Sequence, residues 1–134
     1  MTDVMNFFQT MFMFRNFAPT IANKQEVRLA VWLKCEAETL AEKGDEEMRN
    51  GRMTQDLSFE AKDVEKTRVF AEIAVWHNGR AAEKYRKSAE RYEEAGKIQT
   101  GKRREFNLKA KEMKCRAAQA EAAVNSLNDF LTQN

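Results

Sequence analysis

The chain has 134 residues, of which 33% are charged and 43% hydrophobic, with one proline and five glycines. This composition is typical of a single domain built from long helices, and it excludes an intrinsically disordered chain, which would lack the apolar residues for a core. The net charge of +2 excludes a strong overall field that would attract nucleic acid or a membrane surface.

The cysteines and the N-terminal residues indicate the cellular compartment of the protein. Cys35 and Cys115 lie 80 positions apart, with no CxxC motif and no histidine cluster. This spacing predicts buried or half-buried free thiols in a reducing compartment, not a disulfide framework or a zinc site. Asp3 stands where a signal peptide has Lys or Arg, and no apolar run reaches the ~18 residues needed to span a bilayer. We expect a cytoplasmic protein without a metal or another cofactor.

Residues 1–18 form an apolar opening segment in which Phe7, Phe8 and Met11 share one helical face. The pattern predicts a short apolar helix, whose exposed surface would bind or aggregate if left free. Three roles are open for this helix: it docks on the rest of the chain, it contacts a partner or a second copy, or it lies at a membrane surface. The last is disfavoured because interfacial helices usually carry a face rich in Lys and Arg, and this segment has a single arginine.

The next predicted helix spans residues 20–50. Asn50 and Gly51 are predicted to end it, because both residue types tolerate the left-handed conformation that closes many helices. Trp32 lies off the apolar stripe and is predicted either to lean on the N-terminal segment or to face a partner. The stripe itself is expected at Leu29, Leu33, Ala37, Leu40, Gly44 and Met48.

A third helix is predicted over residues 54–95. In residues 69–76 apolar side chains point to nearly every side, which predicts burial between neighbouring helices. Gly79 and the two residues before it weaken the helix locally, but the apolar seam keeps its phase across them. We therefore predict a continuous helix, with a kink or break there as the alternative. The seam comprises Leu57, Ala61, Val64, Arg68, Ala71, Val75, Asn78, Ala82, Tyr85, Ala89, Tyr92 and Gly96.

The last predicted helix spans residues 102–131. Its seam alternates steps of four and three and is rich in alanine at its centre, which allows close approach of another helix: Phe106, Ala110, Met113, Ala117, Ala120, Val124, Leu127 and Leu131. A weaker second row of Leu108, Cys115, Ala118 and Ala122 predicts an interface with a second copy of the chain. The alternative is that these alanines are good helix formers at the surface.

Two patterns suggest catalysis, and neither is complete. Residues 96–103 fit part of the phosphate-binding loop G-x-x-x-x-G-K, but a helix is predicted before them and Arg103 stands where that loop has a magnesium-binding Ser or Thr. A basic turn that binds an anion is the weaker version of the same idea. His77 is the single histidine, and no HExxH or ExxH motif occurs. We therefore predict that the protein is not an enzyme.

Charge is unevenly distributed along the chain. Residues 34–47 carry a net charge of −4, and residues 97–116 carry +6. We favour pairing between these two regions within one chain or between two copies. The alternative is binding of nucleic acid or an anionic ligand by Lys97, Lys102, Arg103, Arg104, Lys109 and Lys111, although the aromatic residues that stack on bases are missing from this run.

The sequence thus predicts an all-α fold: an antiparallel bundle of three long helices with coiled-coil-like seams over residues 20–132, plus the short apolar helix of residues 1–18. The predicted function is that of a non-catalytic interaction protein, an adaptor or an inhibitor or modulator, of a kind that phages and other mobile elements encode. It is expected to form a homo-oligomer and to bind another protein or protein complex through Phe7, Phe8, Met11 and Trp32. Nucleic-acid or anion binding by the basic run is the alternative.

Overall fold

The structure, a computed structural model, describes residues 21–133 and the side chains of residues 24–133. Helix α1 spans Ile21–Glu60, α2 spans Val64–Ile98 and α3 spans Arg103–Gln133, with a single 3-10 turn at Thr100–Lys102 between the last two. The three helices pack against each other, and no strand occurs in the described range. This confirms the predicted all-α class. The predicted helix of residues 1–18 lies outside the described residues, and the predicted division into domains stays a prediction.

Helices α1 and α2 run in opposite directions. The Ser88 hydroxyl donates to the carbonyl of Ala37 over 2.7 Å, near one end of the pair. At the other end the Ser58 hydroxyl donates to the carbonyl of Thr67 over 2.8 Å. Residue numbers therefore rise along one helix as they fall along the other, which sets the register between the two helices.

Helix α3 packs on α2 in the same opposed sense. The Lys114 ammonium lies 2.7 Å from a Glu93 carboxylate oxygen, and farther along Arg86 forms an ion pair with Glu121. Helix α3 consequently runs in the same direction as α1, and α2 lies between two helices of opposite direction.

The main core consists largely of alanine, which lets the helix axes approach closely, together with a few large residues that fill the remaining space. The Tyr92 and Phe106 rings are stacked, with centroids 6.3 Å apart. The buried members are Leu33, Ala37, Ala41, Ala81, Ala82, Tyr85, Ala89, Tyr92, Ala95, Phe106, Ala110, Met113, Ala117 and Ala120.

The predicted end of the first long helix at Asn50 and Gly51 is wrong. Helix α1 continues to Glu60, and the break falls at residues 61–63, so the predicted ranges 20–50 and 54–95 are replaced by Ile21–Glu60 and Val64–Ile98. No glycine in the described chain has a positive φ, and Gly51 is buried against α2. The glycine allows close helix approach and does not end the helix. Helix α2 begins instead at Val64 and is capped by Asp63, whose side chain accepts a hydrogen bond from the Glu65 amide over 3.1 Å.

The predicted seam of the third helix is correct in its second part. From Ala71 to Gly96 the seam residues are buried or half-buried, and the helix runs unbroken through Gly79. Its first part is wrong, because Leu57 and Val64 lie on different helices on either side of the turn and both are exposed. The predicted burial of residues 69–76 on all sides is also wrong for three large residues, since α1 and α3 leave one side of α2 uncovered. These residues are Val69, Ile73 and Trp76.

Helix α3 confirms its predicted seam: Phe106, Ala110, Met113, Ala117, Ala120 and Leu127 are buried, and Val124 and Leu131 are half-buried. It begins at Arg103 and ends at Gln133, close to the predicted range 102–131. In α1, Leu33, Ala37 and Gly44 of the predicted stripe are buried, but Leu29 is exposed because the neighbouring Ala30 faces the core. A cleft of about 680 Å³ separates the turn at residues 61–63 from the end of α3.

Candidate binding surfaces

Around the turn at residues 61–63, five large apolar side chains of the α1–α2 pair are exposed in two helical rows, in addition to Phe59 and Val64 beside the turn itself. Met53 and Leu57 lie one helical turn apart on α1, and Val69, Ile73 and Trp76 follow the spacing i, i+4, i+7 on α2. The register set by Ser58 and Thr67 places the two rows at the same level of the helix pair. Their exposed fractions are 37–61%. We call this group, Met53, Leu57, Val69, Ile73 and Trp76, the outer apolar patch.

A small polar network borders the outer apolar patch at Trp76. One carboxylate oxygen of Glu47 lies 2.8 Å from His77 Nδ1, and the other lies 3.5 Å from Arg80 Nε. The Arg80 guanidinium lies 4.7 Å from the centroid of the Trp76 ring, and the His77 ring packs edge-on at 4.9 Å. Arg80 continues the row of Val69, Ile73 and Trp76, so this row borders α1. The network holds an exposed tryptophan in place by cation–π and edge contacts.

The residues predicted to bind a partner are not brought together with this patch. Trp32 is 58% exposed on α1, but it lies 21 residues before Met53, or about 30 Å along the helix. Phe7, Phe8 and Met11 lie outside the described residues. Sequence reasoning missed the outer apolar patch because it assigned residues 69–76 to the core. The signal was present, since a helix flanked by two neighbours cannot bury apolar side chains on every side.

The predicted oligomer row lies on the exposed face of α3. Leu108, Cys115, Ala118 and Ala122 are all exposed, and their spacing places them along one side of the helix. Leu108 is the large member of the row, with 61% of its surface exposed. The row is therefore accessible to a second copy of the chain, and the predicted oligomer interface stays a prediction.

The basic run of residues 97–116 divides into two parts. In the second part, Lys114 pairs with Glu93, and the Arg116 guanidinium lies 2.7 Å from Glu112 and 3.3 Å from Asp45. The Arg116–Asp45 pair is the kind of contact with the acidic region that the sequence predicted. Lys102 and Lys109, which belong to the same basic run, form no salt bridge within the described residues.

The first part of the basic run faces solvent. The Arg103 side chain donates a hydrogen bond from Nε to the Gly96 carbonyl oxygen over 3.4 Å and forms no salt bridge within the described residues. Lys109 is half-buried, with its ammonium 5.8 Å from the centroid of the Tyr92 ring. The exposed members are Lys97, Lys102, Arg103, Arg104 and Lys111. These five cations lie near the turn between α2 and α3 and are available to an anion.

The groups considered for catalysis are separated. Residues 96–103 comprise the end of α2, the 3-10 turn and the start of α3, so a helix and not a strand precedes the glycine-rich string. His77 contacts Glu47, but no group of three or more His, Cys, Asp or Glu residues suited to a metal occurs in residues 24–133. Cys35 and Cys115 are both exposed, so their predicted burial is wrong. Each lies on the outward side of an amphipathic helix.

No protein-family model, curated protein or solved structure matches the chain. Within residues 21–133, none of the helices is both long and apolar enough to cross a bilayer.

Proposed function

We propose that the protein is a non-catalytic helical interaction protein that binds another protein through the outer apolar patch and acts as an adaptor or as an inhibitor or modulator of its partner. The observation that carries this proposal is the exposure of five large apolar residues, including Trp76, on one region of the α1–α2 pair. Scattered apolar residues are normal at a protein surface, but a contiguous group marks an interaction site more often.

The composition of the patch fits a protein partner. Tryptophan is the residue type most enriched among residues that dominate binding energy, and methionine adapts to partner surfaces of varied shape. Burial of a large aliphatic side chain contributes roughly 1.5–3 kcal/mol, so Met53, Ile73 and Trp76 together provide a substantial driving force. The Glu47, His77 and Arg80 network beside Trp76 supplies the polar rim that accompanies an apolar interface core.

The same proposal includes self-association and the reducing compartment that the sequence predicted. The exposed row of Leu108, Cys115, Ala118 and Ala122 supports contact between two copies, because an exposed leucine beside small residues allows close helix packing. Two exposed free cysteines support the cytoplasm as the compartment, since thiols at a surface oxidise outside it.

A second candidate function is supported by the basic turn. Lys97, Lys102, Arg103, Arg104 and Lys111 are exposed and form no salt bridge within the described residues. Unpaired surface cations attract phosphate groups, whose binding releases counterions and weakens with added salt. Nucleic-acid or anionic-ligand binding by this turn is the alternative to protein binding by the patch.

The two candidates are separated by paired charge substitutions in the full chain. The Met53→Glu/Trp76→Glu variant introduces charge into the outer apolar patch, and the Arg103→Glu/Arg104→Glu variant reverses charge at the basic turn. Each variant is compared with the wild type for capture of partners from the native host at low and high salt, with helical content checked by circular dichroism.

If the patch proposal is right, the wild type and Arg103→Glu/Arg104→Glu capture a protein that stays bound at high salt. The Met53→Glu/Trp76→Glu variant does not capture that protein. Loss of binding in Arg103→Glu/Arg104→Glu alone, with co-purified nucleic acid that disappears at high salt, overturns the patch proposal in favour of the alternative. Equal capture by all three proteins removes both surfaces from consideration.

A further inference from the structure

A groove of about 250 Å³ opens between α1 and α3, above Tyr85 of α2, and arginines line it on both sides. Arg49 and Arg52 project from α1, whereas Arg116 and Gln119 project from α3. All three helices therefore contribute to one concave site, which shares no residue with the outer apolar patch or with the exposed cations of the basic turn.

Helical spacing explains how these side chains meet. Asp45, Arg49 and Arg52 follow i, i+4, i+7 on α1 and lie on one face, and Arg116 and Gln119 are three residues apart on α3. The buried Tyr85 hydroxyl donates to Asp45 over 2.5 Å and forms the floor between the two walls.

Arg116 is held in place before any ligand binds. One of its terminal nitrogens lies 2.7 Å from Glu112, one turn earlier on α3, and the other lies 3.3 Å from Asp45. Its guanidinium carbon is 6.0 Å from the centroid of the Tyr85 ring. A guanidinium fixed by two carboxylates has little freedom left to lose when a third group binds.

Arg49 and Arg52, unlike Arg116, are not held in place by carboxylates of the described residues. Both side chains are exposed, and neither forms a salt bridge within the described residues, whereas Arg86 and Arg91 each pair with a glutamate. Two cations three residues apart on one helix repel each other weakly. The groove has three guanidinium groups against the carboxylates of Asp45 and Glu112, so positive charge is in excess there.

We propose that this groove binds a small phosphate-type oxyanion, gripped by Arg49 and Arg52 and oriented by Arg116. Guanidinium groups present paired N–H donors that match the oxygen atoms of a phosphate group. The groove volume lies below the ~300 Å³ at which clefts for drug-sized ligands begin. It therefore suits inorganic phosphate, pyrophosphate or one phosphate group of a larger molecule. Gln119 adds a side-chain amide that donates to an oxygen atom.

The test uses pyrophosphate as the probe and measures its binding to the full chain by isothermal titration calorimetry at constant ionic strength. The site variant is Arg49→Gln/Arg52→Gln. The matched control is Arg28→Gln/Arg68→Gln, which removes the same charge at two exposed arginines distant from the groove. We expect saturable binding of one pyrophosphate per chain, at least tenfold weaker binding in the site variant, and a change of less than twofold in the control.

A second measurement locates the ligand directly and does not depend on the folding of a variant. Nitrogen-15 spectra of the arginine side chains should show shifts of Arg49, Arg52 and Arg116 on addition of pyrophosphate, while Arg28 stays unchanged. Absence of saturable binding by the wild type overturns the proposal, as does equal weakening in site and control variants. Shifts of Arg103 and Arg104 on addition of pyrophosphate, with Arg49, Arg52 and Arg116 unchanged, also overturn it in favour of the basic turn.

Discussion

The Tyr85 ring of α2 packs directly onto Gly44 of α1, so that a Cβ added at position 44 would lie 2.7 Å from a ring carbon. The same arrangement recurs one heptad away, where a Cβ at Gly51 would lie 2.8 Å from the Asn78 side-chain oxygen. The two glycines are seven residues apart, and so are their two partners. The distance between α1 and α2 is therefore set by two contacts in which a bulky or polar side chain of α2 fills the space left by a glycine of α1.

Alanine at Gly44 should destabilise the fold. Alanine favours a helix over glycine by about 1 kcal/mol, but forcing atoms into a packed interface costs typically 1–3 kcal/mol. The Tyr85 ring cannot move away easily, because its hydroxyl is bound to Asp45. The expected net effect in Gly44→Ala is a loss of roughly 1 kcal/mol or more in the free energy of unfolding, measured by urea denaturation.

Gly79→Ala is the control for that measurement. Gly79 is exposed inside α2, and a Cβ there would meet no atom within 4 Å. This variant should gain roughly 0.5–1 kcal/mol from helix propensity alone. If Gly44→Ala gains stability to the same degree as Gly79→Ala, the close approach of Gly44 to Tyr85 is wrong.

These glycines explain where the fold could be predicted from sequence and where it could not. The seam from Phe106 to Leu127 was predictable because apolar residues alternate in steps of three and four without interruption. The end of α1 was not, because Asn50 and Gly51 carry the same local signal whether the glycine closes a helix or admits the Asn78 side chain of a neighbour. Only the packing of α2 distinguishes the two cases.

The candidate sites, like the fold, were predictable only where the signal is local in the sequence. The exposure of Trp32 fits its position off the apolar stripe of α1, whereas Trp76 looked buried because residues around it are apolar on several sides of the helix. The arginine groove had no local signal at all. Arg49 and Arg52 resemble an ordinary solvated helix face until the fold brings Arg116, more than sixty residues later in the chain, to the opposite wall.

Both tyrosines should titrate above their usual range in the folded protein. Burial raises the pKa of Tyr85, and its hydrogen bond to Asp45 raises it further, while burial is also the main cause that raises the pKa of Tyr92. A free tyrosine has a pKa of about 10. We expect the 295 nm absorbance of tyrosinate to appear only above pH ~10 in the native protein, and near pH ~10 in concentrated guanidinium chloride.

This shift also links stability to pH. A pKa raised by folding favours the folded state fully at pH values below the unfolded pKa, and the contribution is lost as the pH rises through the folded pKa. The stability advantage of the wild type over Tyr85→Phe should therefore be constant below pH ~10 and shrink above it. A difference that grows with alkaline pH would contradict the direction of the Tyr85 shift.

Two nearby residues of α3 should differ strongly in how much their truncation destabilises the fold. Phe106 is 2% exposed and stacks on Tyr92, whereas Leu108 is 61% exposed. Phe106→Ala should lower the free energy of unfolding by roughly 3–5 kcal/mol because it removes the ring and leaves a cavity. Leu108→Ala should change it by less than about 0.5 kcal/mol in dilute protein. Similar losses in both variants, measured by thermal or urea unfolding, would mean that α3 is rotated relative to the helix described here.

The two thiols provide a direct test of the predicted oligomer row. Cys35 and Cys115 are exposed in the single chain, so both should react with a thiol reagent without denaturant in dilute solution. If a second copy covers Leu108, Cys115, Ala118 and Ala122, then Cys115 should become protected as the protein concentration rises, while Cys35 stays reactive and acts as the internal control. Mass spectrometry of the modified peptides gives the extent of reaction at each cysteine. Equal reactivity of the two thiols across concentrations at which light scattering shows a dimer would place the dimer interface on another surface, and the outer apolar patch would then be the surface to test.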